Sequence, residues 1–329
     1  MYTVYGLLVF VTDGITVYSK FGDTYASVSF IQGAYVILLP IYVCYLYTRR
    51  GYLTAELLQK WAVAFILVCI AQFYTLQQDI MRRLLSQGND TTEFNNGGGY
   101  IFLSIIPMML VYRRKLLSYI GIGIALFYIL MAMKRGAIII SAIALVIIIY
   151  REIKTASGSN KLYILMLCSV GIFLLSQFIE HMLDTSDYFN NRIEATLEGD
   201  SINRDIIFNE IWNEYLYHSN IIQWLFGRGA LSTLKSVNIY AHNDWLEIIF
   251  CQGLLGILIL INYWKGLFKI SRSSTLCESS RFCLFLIFCI FFVKTFFSMS
   301  VIGMPIYTTI MLGFSMADGF NEQHAIYKD

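Results

Sequence analysis

The chain has 329 residues, 57% of them hydrophobic and 16% aromatic, with only 14% charged and a formal net charge of +2. Soluble domains carry about 25% charged residues, so this composition excludes an ordinary soluble domain and points to an integral membrane protein. Of the seven cysteines, Cys44, Cys69, Cys168, Cys251, Cys283 and Cys289 lie in apolar runs and Cys277 in a basic loop, which argues for small buried hydrophobes rather than a disulfide framework.

In chain order, the opening "MYTVYGLLVFVTDGITVY" has no basic n-region and no small-residue cleavage site, against the pattern of a cleavable signal. Residues 2 to 18 are a candidate span interrupted by Asp13 and Gly14. About 20 apolar residues cross the hydrocarbon core, and by that ruler nine further spans fall near 27 to 47, 61 to 77, 99 to 112, 116 to 133, 136 to 150, 162 to 179, 245 to 264, 282 to 299 and 301 to 317. The expected fold is therefore all-α: a polytopic transmembrane helical bundle of nine or ten spans. It divides into N-terminal transmembrane helices (1–179), one large external loop containing short helices (180–244), and C-terminal helices with a short tail (245–329).

Orientation follows from the basic residues. Arg49, Arg50 and Lys60, then Arg113, Arg114 and Lys115, then Arg151, Lys154 and Lys161, then Lys265, Lys269, Arg272 and Arg281, alternate onto one side with Lys328, and these are most of the 24 Lys and Arg residues. The positive-inside rule makes that side cytoplasmic and the loop 180 to 244 external. Within the loop, "NRDIIFNEIWNEYLYHSNIIQWLFG" places Ile206, Ile207, Ile211, Trp212 and Tyr215 at helical spacing, and Gly227 and Gly229 read as its stop.

Several polar residues stand where chemistry could occur. His242, in "IYAHNDWLEIIFCQGLLGILIL", titrates near neutrality and sits at a membrane boundary; the simpler role is interfacial, with Asn243 or Asp244 capping the helix. Lys134 and Arg135 occupy a tight turn between two apolar runs. They are either snorkelling side chains or an anion site, for which the guanidinium fork suits a phosphate. Arg204 opens the loop helix against the helix dipole, and Arg228 lies between glycines that allow close backbone approach. Lys294 is a charge within a span, which usually faces a cavity or a partner or snorkels. His181, His218, His242 and His324 fall at no metal-ligand spacing. No phosphate-binding or dinucleotide fingerprint occurs, and the sparse external basic residues do not form a nucleic-acid surface.

The order of "FNNGGGYIFLSIIP", "KRGAIIISAIALV", "NRDIIFNEIW", "LFGRGAL" and "AHNDWLEIIFCQGLLGILI" resembles the O-antigen ligase and O-antigen polymerase family of bacterial polysaccharide assembly. The resemblance covers about the middle half of the chain. It implies a metal-independent glycosyltransferase without a cofactor, in the bacterial cytoplasmic membrane with its active site facing the periplasm. The implied donor is a glycan on undecaprenyl diphosphate, and the implied acceptor is a lipid-linked repeat unit (polymerase) or lipid A core (ligase). The family's catalytic histidine matches His242, and its arginines match Arg135 and Arg204. Arg228, Asn243, Glu247 and Lys134 are expected to bind substrate. The expected partners are undecaprenyl-diphosphate-linked oligosaccharides and the lipid bilayer, with flippase and chain-length regulator proteins beside them. The chain departs from the family in its smaller number of spans and in the missing proline of "FNNGGGY". A transporter would be expected to carry related half-domains or broken helices, and neither is visible in the sequence.

Overall fold

The structure is a computed structural model. It describes residues 16–18, 24–86, 97–112, 114–158, 161–164, 166, 169–171, 173, 176–177, 180, 204–229, 232–237, 240–298, 300 and 304–321. Among the described residues the fold is all-α apart from one short strand pair, β1 (Thr16–Tyr18) and β2 (Thr24–Ala26), antiparallel with Val17 opposite Tyr25. The candidate span at residues 2 to 18 thus ends in a strand, and residues 2 to 15 lie outside the described residues.

The helices follow in order: α1 (Ser27–Arg49), α2 (Ala55–Ser86), α3 (Gly99–Met109), α4 (Lys115–Met131), α5 (Arg135–Thr155), α6 (Arg204–His218), α7 (Ile221–Phe226), α8 (Ser232–Ser236), α9 (Asp244–Ser271), α10 (Glu278–Phe297) and α11 (Ile306–Met316). Four of them, α2 over Ala55–Ile80, α5, α9 and α10, are long and apolar enough to cross a membrane. Gly99–Met109, Lys115–Met131, Lys161–Gly171 and Ile306–Met316 are apolar but shorter. Each falls on an expected span, and the shortest have 11 residues, about 17 Å of helix at 1.5 Å per residue, well under the core thickness of about 30 Å.

The chain forms two compact units. One comprises residues 1–66, 104–123 and 203–329; the other comprises 67–103 and 124–202. The expected boundary at 244 therefore falls inside a single unit, because the described helices of the long loop pack on the C-terminal spans.

In the first unit, α11 lies on α1 and α10 lies against both α9 and α11. A Cβ at Gly313 of α11 would collide with the carbonyl oxygen of Ile41 and come within 2.9 Å of the Tyr45 amide, the kind of small-residue contact that lets membrane helices approach closely. Tyr112 donates to the Gln59 carbonyl (2.8 Å) while the Gln59 carboxamide donates to the Val111 carbonyl (2.8 Å), a reciprocal tie between α2 and the end of α3.

The second unit has an aromatic centre. Phe102 stacks on Tyr128 with centroids 4.7 Å apart, and Phe73 meets both edge-on. At its edge, Gly99 faces the turn between α4 and α5, where a Cβ would come within 2.9 Å of the Ala132 Cβ and 3.5 Å of the Lys134 Cβ. The glycine-rich and "KRG" segments, remote in sequence, therefore meet in space.

The most consequential departure is in α9, which is not one continuous helix. Gly253 has φ 64 and ψ −163, values that belong to glycine and not to a helix. A broken helix is present where the sequence showed only an apolar run.

Candidate functional site

Five of the expected site residues lie in the first unit around the head of α9. Asn243 is its N-cap, with Oδ1 accepting from the amides of Trp245 (2.9 Å) and Leu246 (3.2 Å); this satisfies donors that a helix start leaves open. His242, just before the cap, is exposed and has φ 51. Left-handed backbone at a non-glycine residue is uncommon and is held in place only by its surroundings.

The surroundings that hold it are specific. Glu247, one turn inside α9, is 4% exposed. Its Oε2 accepts from the Ala241 amide at 3.0 Å, and its Oε1 accepts from the Thr233 hydroxyl at 2.6 Å and from the Cys251 thiol at 3.4 Å. One carboxyl group thus ties α8 and residue 241 to α9 and fixes the chain that carries His242. All three bonds are internal to the fold, and they brace the residue that precedes the histidine.

On the other flank, Asp244 is also buried and accepts from the Ser300 amide at 2.7 Å. The Asn243 carboxamide donates to the Phe296 carbonyl at 3.4 Å, and the Trp245 indole donates to the Thr295 hydroxyl at 2.8 Å while its ring stacks on Phe296 at 5.7 Å. Arg204, the first residue of α6, donates through Nη1 to the Phe297 carbonyl at 3.4 Å. The C-terminal end of α10 is therefore the meeting point of Arg204 and the residues next to His242. Terminal carbonyls of a helix lack intrahelical partners and carry partial negative charge, which explains why a guanidinium and a carboxamide gather there. The contact uses one of the five guanidinium N–H donors of Arg204.

Arg228 is differently employed. Its side chain, 12% exposed, pairs with Glu214 at 2.7 Å, donates to the Glu214 carbonyl (2.9 Å) and to the Ser219 hydroxyl (3.1 Å), and lies over the Phe250 ring at 5.1 Å. Its fork is committed within the fold. The carboxylate that α6 supplies to it is a partner that sequence order could not reveal.

The flanking glycines complete the picture. The carbonyls of Phe250 and Cys251 accept from the amides of Arg228 (3.0 Å) and Gly229 (2.9 Å). A Cβ on Gly227 would overlap the Cys251–Gln252 peptide, and one on Gly253 would come within 2.6 Å of the Gly227 amide and the Leu225 carbonyl. The break in α9 and the "LFGRG" segment are two halves of one backbone contact. A small core of Ile211, Tyr215, Val237, Ala241, Phe250 and Cys251 packs beside it, with Ile207 partly buried against it; Ile206 and Trp212 stay exposed. Burial pushes the Tyr215 phenol upward from its ordinary pKa, and its hydroxyl donates to the Trp224 carbonyl at 2.9 Å.

The expected single loop helix is two. It ends at His218, and α7 begins anew behind Asn220, which forms a capping box with Gln223 before ending on Gly227.

Lys134 and Arg135 belong to the second unit. Met133, with φ 50, turns the chain between α4 and α5. Lys134 is the N-cap position of α5 with its Nζ 5.8 Å from the centre of the Tyr100 ring, and Arg135 is the first helical residue, half-buried. The tight turn read from the sequence is therefore present. Lys294, the charge within a span, is buried in the last turn of α10 with its Nζ 5.7 Å from the Phe291 ring. His218 lies 3.1 Å from Glu214, while His181 and His324 lie outside the described residues.

No family model, curated protein or solved structure matches the chain.

Proposed function

We propose that the protein is a polysaccharide polymerase that transfers a glycan from undecaprenyl diphosphate onto a lipid-linked repeat unit at the outer face of the bacterial cytoplasmic membrane. The observation that carries the proposal is the head of α9. An exposed histidine in a left-handed conformation, braced by a buried carboxyl group, adjoins a helix end that also holds Arg204.

The chemistry follows from those groups. An acceptor hydroxyl attacks the anomeric carbon of the donor as the bond from that carbon to the diphosphate oxygen breaks. His242 takes the hydroxyl proton, general-base work to which imidazole is suited near neutral pH. The departing diphosphate keeps the bonding electrons, and a cation facing it stabilises that charge; Arg204, whose described contact with Phe297 uses one guanidinium N–H, is the cation for this role. The sequence resemblance assigns Arg135 a similar duty, and this assignment stands on its own test: Arg135→Lys keeps the charge and loses the fork, so full activity in that variant would remove Arg135 from the proposal.

The deciding experiment compares glycan ladders from cells lacking the protein and complemented with wild type or His242→Ala. The expected result is single-repeat glycan without the protein, a ladder restored by wild type, and at least a hundredfold less polymer with His242→Ala at equal membrane level, the lower end of what general-base catalysis contributes. Long lipid-linked polymer that is never transferred to lipid A would make the protein a ligase instead. A transport role gains from the break in α9, since discontinuous helices are common in transporters; loss of all surface glycan, single repeats included, would favour it.

A further inference from the structure

We propose that α7 and its flanks form a re-entrant membrane element, with Ile221, Ile222, Leu225 and Phe226 facing lipid acyl chains rather than water. The inference concerns the lipid surface of the fold and is independent of the proposed enzymatic role.

Depth is the first reason. Trp245 stands at the head of α9, and Trp264 near its other end is followed by Lys265 and Lys269, the aromatic and basic residues that mark the two membrane interfaces. Gly253 lies nine residues inside the helix start, about 14 Å along the axis. Leu225 and Gly227 touch α9 at that level, so the end of α7 sits well below the head of α9, in the leaflet that holds that head.

Surface chemistry is the second. "SNIIQWLFG", residues 219 to 227, contains no charged residue, and α7 buries none of its six residues in the protein. Ile221 is 78% exposed and Ile222 69%. In water such a helix would present a patch of aliphatic and aromatic side chains for which a soluble surface offers no reason.

Third, much of the irregular backbone is already hydrogen-bonded, as membrane depth requires. Asn220 and Gln223 exchange hydrogen bonds at 2.8 and 3.0 Å. The Gly227 amide closes on the Gln223 carbonyl, and those of Arg228 and Gly229 close on the carbonyls freed by the break in α9. The Trp224 indole donates to the Tyr215 carbonyl at 3.1 Å. The neighbouring charge, Arg228, is neutralised by Glu214.

The test is collision accessibility of a nitroxide at Ile222→Cys, in a background with the seven native cysteines replaced, reconstituted in phosphatidylcholine and phosphatidylglycerol vesicles. Oxygen, which concentrates in lipid, should relax the label several-fold more than a water-soluble nickel chelate. The same label at Ser274→Cys, exposed in the turn between α9 and α10 beyond Lys269, should show the reverse. Dominance of the nickel complex at residue 222 would overturn the proposal in favour of a water-facing surface. Low accessibility to both reagents with spin–spin broadening would overturn it in favour of a second copy of the chain. Folding is read from monodisperse elution, and Phe226→Cys replaces a variant that fails it. Wild-type protein gives a check without substitutions: a lipid-soluble diazirine should mark the peptide containing residues 219 to 227, and absence of label there while α9 is marked would also overturn the proposal.

Discussion

Arg204 and Arg228 open and close the same stretch of chain, and the fold uses them in opposite ways. Arg228 is saturated: a carboxylate, a carbonyl, a hydroxyl and an aromatic face surround it, and the glycines beside it press backbone against backbone at the break in α9. Among the described residues, Arg204 makes one long bond, to a helix end. The first region is built to stay closed, whereas the second brings a basic group and a histidine to one helix end. Arginine in an external loop is thus no guide to ligand binding until the partners of its fork are known.

The sharpest way to break this comparison is at Gly253. A Val there must adopt a positive φ with extended ψ, a region essentially reserved for glycine, and overlap the Gly227 and Leu225 backbone; the conformational part alone costs about 1–3 kcal/mol, and overpacking adds about 1–3 kcal/mol. Gly253→Val should therefore fail to yield monodisperse protein or melt far below wild type, and a normal melting curve would mean that the backbone contact is not what holds α7 to α9.

Arg228→Ala should be the next largest effect. Leaving Glu214 partly buried without its cation costs less than the roughly 3–5 kcal/mol of a fully buried pair, about 2 kcal/mol with its 31% exposure, seen as a lowered melting temperature. Arg204→Ala should leave the melting temperature within a few degrees and depress polymer formation instead. If the two variants exchanged these phenotypes, the division between closed and open regions would fall.

A smaller effect is expected at the cap. Asn243→Ala removes the acceptor for two amides, a loss of about 1 kcal/mol, and Asn243→Asp should restore the stability. Since the cap also anchors the residue after His242, Ala should lower activity more than its stability loss explains, and equal loss of both would make Asn243 a cap alone.

The smallest is chemical and lies at the opposite end of the α9–α10 hairpin. Burial raises the pKa of the Cys277 thiol above its ordinary value, and the nearby Asp318 adds to the rise while bonds from Ser280 oppose it. Because the thiolate is the reactive form, iodoacetamide labelling of a variant retaining only Cys277 should climb at higher pH than that of an unfolded control. Coincident profiles would show that this end of the hairpin is open to water.

Much of the architecture was legible in the sequence because it depends on local composition. Hydropathy places α2, α5, α9 and α10, and the Asn-Asp pair before an apolar run marks the start of α9 at the correct residue. The turn at Lys134 needs only two apolar runs and no room between them. The break at Gly253 was not legible, since an apolar segment has the same hydropathy whether its helix is continuous or broken. Gln223, three residues after Asn220, did carry a capping-box pattern, but the apolar residues around it masked the division between α6 and α7. The site divided similarly. His242 could be singled out by its position, while the roles of Glu247 and Arg228 depended on Thr233, Ala241 and Glu214, partners that only folding brings near.

The clasp made by Glu247 reaches further than stability. By holding Thr233 and the Ala241 amide together on α9, it fixes both ends of a stretch whose Leu234 and Val237 are themselves buried. A change at either of these two would disturb the anchors and, through them, His242. Variation in the molecules admitted beside the histidine is therefore confined to positions outside the clasp and its buried neighbours.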